Sequence, residues 1–159
     1  MRHMIGTLAL ATCALMLGAH DADAQQQGDV DGVRAINLAF YEAASARDLA
    51  QLEAVWAHEP HVRAIHPGRP IEKGWEAVRG GWKGLFEIFS EISVAMPEPD
   101  LQVGVDMAWV TGEEEFRGRL SSGEQAAESL LATSIFEKTI NGWRMVHHHV
   151  SGKPLPPPQ

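Results

Sequence analysis

The sequence predicts an α+β domain in which helices come first and a curved antiparallel sheet follows. Three observations carry this. Apolar residues recur every three or four positions up to about residue 90, they recur every second position from residue 101 onward, and Asn141-Gly142 marks a tight hairpin near the end. Asp29 or Asp31 can cap the first helix, whose Val33, Ile36, Phe40 and Ala44 form one stripe with Tyr41 beside it. Ala46-Arg47-Asp48 breaks that helix, and Asp48 can cap a short second one carrying Leu49, Leu52, Val55 and Trp56 before Pro60. From His61 to His66 the residues alternate, with Val62, Ala64 and His66 on one face, and Pro67-Gly68-Arg69-Pro70 turns the chain. A third helix is expected from Gly74 towards Ile92, because Trp75, Val78, Trp82, Leu85 and Phe89 keep to one face. Leu101, Val103, Val105, Met107 and Trp109 then read as the apolar face of one strand. Further strands are expected over 113–120, 128–138 and 143–151, with turns at Ser121-Ser122-Gly123 and Asn141-Gly142.

The two ends do not fit this pattern. Met1 to Met4 is a short positive start, Ile5 to Ala19 is an uncharged apolar run, and Ala22-Asp23-Ala24 has the small-x-small form of a processing site. Residues 1–24 are therefore expected to be a cleaved signal peptide, which makes the protein periplasmic or secreted. Gly152 onward is a Pro-rich tail, so the domain is expected over 28–152 and the tail over 153–159. Of the 159 residues, 13 are Lys or Arg and 21 Asp or Glu, a net charge of −8 with the basic residues scattered. That balance argues against a nucleic-acid partner, which needs a basic patch, and signal removal leaves no apolar stretch for a membrane. The single Cys, Cys13, lies in the signal peptide, so thiol nucleophiles and Cys-ligated metals are excluded from the mature domain.

The end of the chain, Thr133 to Lys138 followed by Asn141-Gly142-Trp143-Arg144-Met145-Val146-His147-His148-His149-Val150-Ser151-Gly152, resembles the last hairpin of the nuclear transport factor 2-like (NTF2-like) superfamily. It is most similar to SnoaL-like and DUF4440-type members and to the association domain of calcium/calmodulin-dependent kinases. Upstream, Trp56, the Ile65-His66-Pro67-Gly68 turn and Gly74 fall in the order such proteins show. The resemblance implies a cone-like sheet closed by about three helices, a pocket inside the cone, and a homodimer. The fold hosts isomerases, lyases, hydrolases and assembly modules, so it does not by itself give an activity. Ketosteroid isomerases of the superfamily use an Asp base with a Tyr/Asp pair, whereas this chain has one Tyr, Tyr41. The kinase association domain places an arginine where this chain has Val150.

Chemistry-bearing residues follow from the faces. His66 shares the buried face of its strand, where it is either a core histidine bonded to backbone or an acid/base group. His148, between Val146 and Val150, points into the cone and is its expected partner, with Tyr41 as a hydroxyl donor. Trp143 and Met145 alternate onto the opposite face, which suggests that a second subunit covers it. His147 and His149 share that face and could also hold a metal, although two ligands do not make a site, and neither a metal nor a cofactor is expected. Of Glu113-Glu114-Glu115, one must oppose the other two. An inward Glu114 facing His66 or His148 would be an acid/base partner. Trp56, Trp82 and Trp109 are expected to converge inside, as core or as walls for a flat ligand. Together these features predict an exported protein that binds a small, mostly apolar molecule, with isomerase, lyase or hydrolase chemistry run by histidine. The alternative is a non-catalytic dimeric binding or assembly module whose pocket is filled.

Overall fold

A computed structural model describes the backbone of residues 8–153 and the side chains of residues 23–153. Within it α1 (Leu8–Ala46) and α2 (Leu49–Val55) form a helix pair. Between them Arg47 adopts φ 55, which turns the chain, and its guanidinium bonds the carbonyls of Phe86 and Ser90, each at 2.6 Å. Asp48 caps α2 by accepting from the Gln51 backbone N–H at 3.0 Å. The expected cap at Asp29 or Asp31 is absent, because α1 runs through both positions without a break. Asp29 instead lies inside the helix and bonds across to the sheet. Residues 1–7 and 154–159 lie outside the described residues, so the start of the expected signal peptide and most of the tail do as well. Among the described residues no helix is long and apolar enough to cross a membrane.

After α2 come β1 (Arg63–Ile65), β2 (Glu72–Lys73), α3 (Trp75–Ile88), β3 (Phe89–Ala95), β4 (Asp100–Val103), β5 (Met107–Leu120), β6 (Gln125–Thr139) and β7 (Gly142–Gly152). The strands form one mixed sheet in the order β2-β1-β7-β6-β5-β3, with β4 also on β5. Strands β1 and β7 run parallel, and the other strand pairs of the described residues are antiparallel. The inner face packs on α1 and α3 around Phe40, Leu52, Trp56, Phe136 and Met145.

Three local expectations fail, each for a readable reason. The third helix stops at Ile88, and the rest of its expected length is β3, where Ile92 and Val94 alternate inward, followed by the buried Met96 just past the strand. The expected strand through Trp109 is a hairpin: Gly104-Val105-Asp106 reverses the chain, and the Gly104 N–H bonds the Met107 carbonyl at 2.9 Å. The reversal changes which face is buried, so Ala108 and Val110 point in and Trp109, 48% exposed, points out. In β7 the register shifts between Ile135 and Phe136 of its neighbour, leaving Val146 as an extra residue. That bulge puts Met145 and Trp143 on the same side as His148 and Val150, so the argument for a second covered face based on those two residues falls.

Candidate functional site

Strand alternation in β5 buries Glu114 and turns its neighbours out. Glu113 pairs with Lys153 at 2.7 Å and Glu115 with Arg117 at 3.3 Å, both in solvent. Glu114 is 5% exposed. The register of β1 and β6 on β7 sets His148 beside Ala64 and Ser134 on the same inner face. Tyr41 reaches the carboxylate from α1, and its hydroxyl donates to Glu114 Oε2 at 3.1 Å. His148 Nε2 lies 3.5 Å from that same oxygen, and its Nδ1 lies 3.0 Å from Ser134 Oγ. A continuous buried line therefore runs Ser134, His148, Glu114, Tyr41.

The line has a direction. Burial, reinforced by the Glu114 charge, pushes the Tyr41 phenol far above its ordinary range, so it stays protonated and Oε2 is an acceptor. In its neutral form, His148 facing that acceptor carries its proton on Nε2, which leaves Nδ1 to accept from the Ser134 hydroxyl. Both groups face Oε2, Tyr41 within hydrogen-bond distance and His148 at 3.5 Å. Among the described residues, Glu114 Oε1 has no protein hydrogen-bond partner.

Beside this line is a cavity of about 190 Å³, lined by Phe40, Trp82, Leu85, Phe89, Ile92, Val94, Phe116, Leu130 and Val150, with His66, Glu114, Pro67, Arg69 and Glu128. Its walls are apolar, and Glu114 is the acid among its buried lining residues. The His66 ring is 5.3 Å from Trp82 and 5.8 Å from His148, centroid to centroid. Neither His66 nitrogen nor Trp82 Nε1 has a protein partner, and all three atoms are buried. Burial first, then the charges of His148, Arg69 and His149, lowers the His66 pKa to about 3, so the ring is neutral at neutral pH. The loop after His66 is tied to α3: Arg69 pairs with Glu72 at 3.1 Å and donates to the Gly81 carbonyl at 3.3 Å. Glu72 lies against Gly81 so closely that any Cβ there would overlap its carboxylate. Burial raises the Glu72 pKa against the opposing pull of Arg69.

The structure thus brings His66, His148, Tyr41, Glu114 and Trp82 to one region. It does not bring Trp56 or Trp109. Trp56 is 1% exposed but does not line this cavity, packing instead against Phe40 and Trp75 at the filled end of the core. Trp109 is on the outer face because of the hairpin reversal. His147 and His149 also face outward, their rings 6.3 Å apart, and among the described residues no three potential ligands gather to hold a metal ion.

A family model for the SnoaL-like domain matches residues 33–156. The chain belongs to the SnoaL-like family. Over 116 residues this SnoaL-like chain is 26% identical to the F-box protein SKIP8 of Arabidopsis thaliana, a match to 73% of the chain and 47% of that protein, so it spans about half the length of this curated relative. Among solved structures it is similar to a proposed dehydratase of the NTF2-like family from Streptomyces avermitilis, with 26% identity, a TM-score of 0.73, and coverage of 81% of this chain and 99% of that one. It is also similar to a proposed calcium/calmodulin-dependent protein kinase type II association domain from Thiobacillus denitrificans, with 31% identity, a TM-score of 0.63, and coverage of 76% and 94%. The α+β cone is therefore the NTF2-like fold.

Three polar residues around this SnoaL-like cavity, Ser134, Arg69 and Glu72, are not evident from sequence pattern. Ser134 sits between Ala132 and Phe136 on an inward face, and a lone hydroxyl among buried apolar neighbours was the available signal. The Arg69 to Glu72 pair spans Pro70, at the end of a turn whose path sequence does not give.

Proposed function

We propose that this exported SnoaL-like protein binds a small, mostly apolar molecule in the cavity and moves a proton on it, as an isomerase or lyase does, using side-chain acid/base groups. One observation carries the reading: Glu114 has one oxygen bonded by Tyr41 and faced by His148, the other without a hydrogen-bond partner among the described residues, at the edge of an apolar hollow. A carboxylate fixed in this way is a positioned base in a site poor in water. For a carbonyl ligand, the C–H bond beside the carbonyl breaks, its proton goes to Glu114, and the electron pair moves to the carbonyl oxygen. Neutral His66 offers one N–H and one lone pair at the cavity wall. The hollow favours this reading over an assembly module with a filled pocket.

The test needs no knowledge of the product. Small cyclic ketones in D₂O are followed by NMR for exchange of the protons beside the carbonyl. Exchange by the wild type that drops at least about 100-fold in Glu114→Gln, with the melting temperature held, supports the reading. Equal exchange by both proteins, or none with any ketone, overturns it.

Export rests on the charge and apolar pattern of residues 1–24, and N-terminal sequencing of the protein recovered from the periplasm or medium checks it. A homodimer is supported by the outer sheet face, where Met107, Trp109 and Leu131 are 43, 48 and 41% exposed. Light scattering on Trp109→Lys tests this: a dimer that becomes a monomer supports it.

A further inference from the structure

We infer that the cavity selects ligands with a single ring and no negative charge, and that Glu114 itself enforces the charge selection. The inference rests on the reading that the cavity binds a ligand, and it adds which ligands.

Size comes first. An engineered apolar cavity of about 150 Å³ holds benzene, whereas drug-sized ligands occupy roughly 300–1,000 Å³. The 190 Å³ here therefore takes one six-membered ring with a small substituent. The floor cannot recede easily, since Phe40, Val94, Leu130 and Val150 are all core side chains, 0 to 8% exposed, held by α1 and the sheet. A second fused ring would have to displace them.

Charge comes second. The fixed charges lining the hollow are the buried Glu114, and Arg69 and Glu128 at the exposed rim. Arg69 is already engaged by Glu72 and the Gly81 carbonyl. His66 adds no positive charge at neutral pH. An entering anion thus passes Glu128, finds its one cation committed, and comes to rest beside Glu114 in an apolar enclosure, where repulsion is poorly screened.

Three probes of graded size and charge test this by calorimetry and ligand-detected NMR at pH 7: benzamide, 2-naphthamide and benzoate. Benzamide is expected to bind, with naphthamide and benzoate each weaker by about tenfold or more. Glu114→Gln should raise benzoate affinity relative to benzamide by about tenfold or more, and Glu128→Gln, at the rim, should raise it less. Naphthamide binding as tightly as benzamide overturns the size limit. Benzoate matching benzamide in the wild type, or gaining nothing in a Glu114→Gln protein whose melting temperature shows it folded, overturns the charge selection. Failure of all three probes overturns the inference outright. Because the measurement is of binding alone, a protein that discriminates as stated but exchanges no ketone protons retains this inference while losing the proton-transfer reading.

Discussion

Asp29 and Glu114 are the buried carboxylates among the described residues, and their partners set them to different work. Asp29 has both oxygens occupied: Lys138 lies 2.6 and 2.7 Å from them, Trp143 Nε1 donates at 3.3 Å to one, and Gln25 at 3.3 Å to the other. Glu114 has Tyr41 and His148 on a single oxygen, no ion pair with Lys or Arg among the described residues, and a place in the cavity lining. Asp29 joins α1 to β6 and β7 and has no capacity left over. Its Lys138 hydrogen bond, the largest influence, holds its carboxyl below the usual range. Saturation makes a clamp, and half-saturation leaves an atom available for a substrate.

The largest effect that can break this contrast is on rate. Glu114→Gln keeps the shape and the Tyr41 contact but removes the base, so proton exchange on an accepted ketone should fall by about 10²–10⁴-fold. Asp29→Asn, made in parallel, should leave the rate per folded molecule within about a factor of two, since the two sites share no partner. A comparable loss of rate from Asp29→Asn would erase the distinction.

Next in size is the acid response of the cavity wall. His66 has its pKa lowered from 6.5 to about 3 in the folded protein, so the unfolded chain binds the extra proton first as pH falls. Stability is therefore full above about pH 6.5 and declines by up to about 1.4 kcal/mol per pH unit towards pH 3. His66→Gln cannot take up that proton and should flatten the decline, measured as urea midpoints across the range. Asp29 works in a different window. Its lowered pKa gives stability that is present above the unfolded value of 3.8 and is lost only below it. Asp29→Ala should cost about 1–3 kcal/mol near neutral pH by leaving the Trp143 N–H and Lys138 without their acceptor.

The contrast between the two sites also marks what the sequence could reveal. Period and punctuation gave the helix stripe through Val33, Phe40 and Ala44, the Asp48 cap, the turns at Gly123 and Gly142, and the family resemblance, because each is a local property of a few residues. Alternation alone put one of three glutamates inside and His148 into the cone. Failures came where a single residue changes the count. The Gly104-Val105-Asp106 reversal moved Trp109 to the outer face, and the bulge at Val146 moved Trp143 and Met145 to the inner one. Such shifts depend on which strand is the neighbour, a non-local fact. Asp29 departs from its expected capping role for a related reason, since its pattern suits a cap equally well and only the fold brings Lys138 and Trp143 to it.

The smallest predicted effect concerns Ser134, and it tells a positioning residue from a packing one. Its hydroxyl lies 3.0 Å from His148 Nδ1, the nitrogen that in the neutral ring accepts a hydrogen bond when Nε2 faces Glu114 with its hydrogen. Ser134→Ala removes that donor without changing the strand. Stability should drop by about 1 kcal/mol from the unpaired buried nitrogen. Exchange at saturating ketone should also fall, by about tenfold, with the half-saturating concentration unchanged, because the loss is in the orientation of the group that steadies Glu114 and not in ligand contact. Ser134→Thr keeps the hydroxyl and should restore the rate. If the alanine variant loses stability but exchanges at the wild-type rate, the Ser134 bond only fills the core, and the tautomer of His148 is fixed by Glu114 alone.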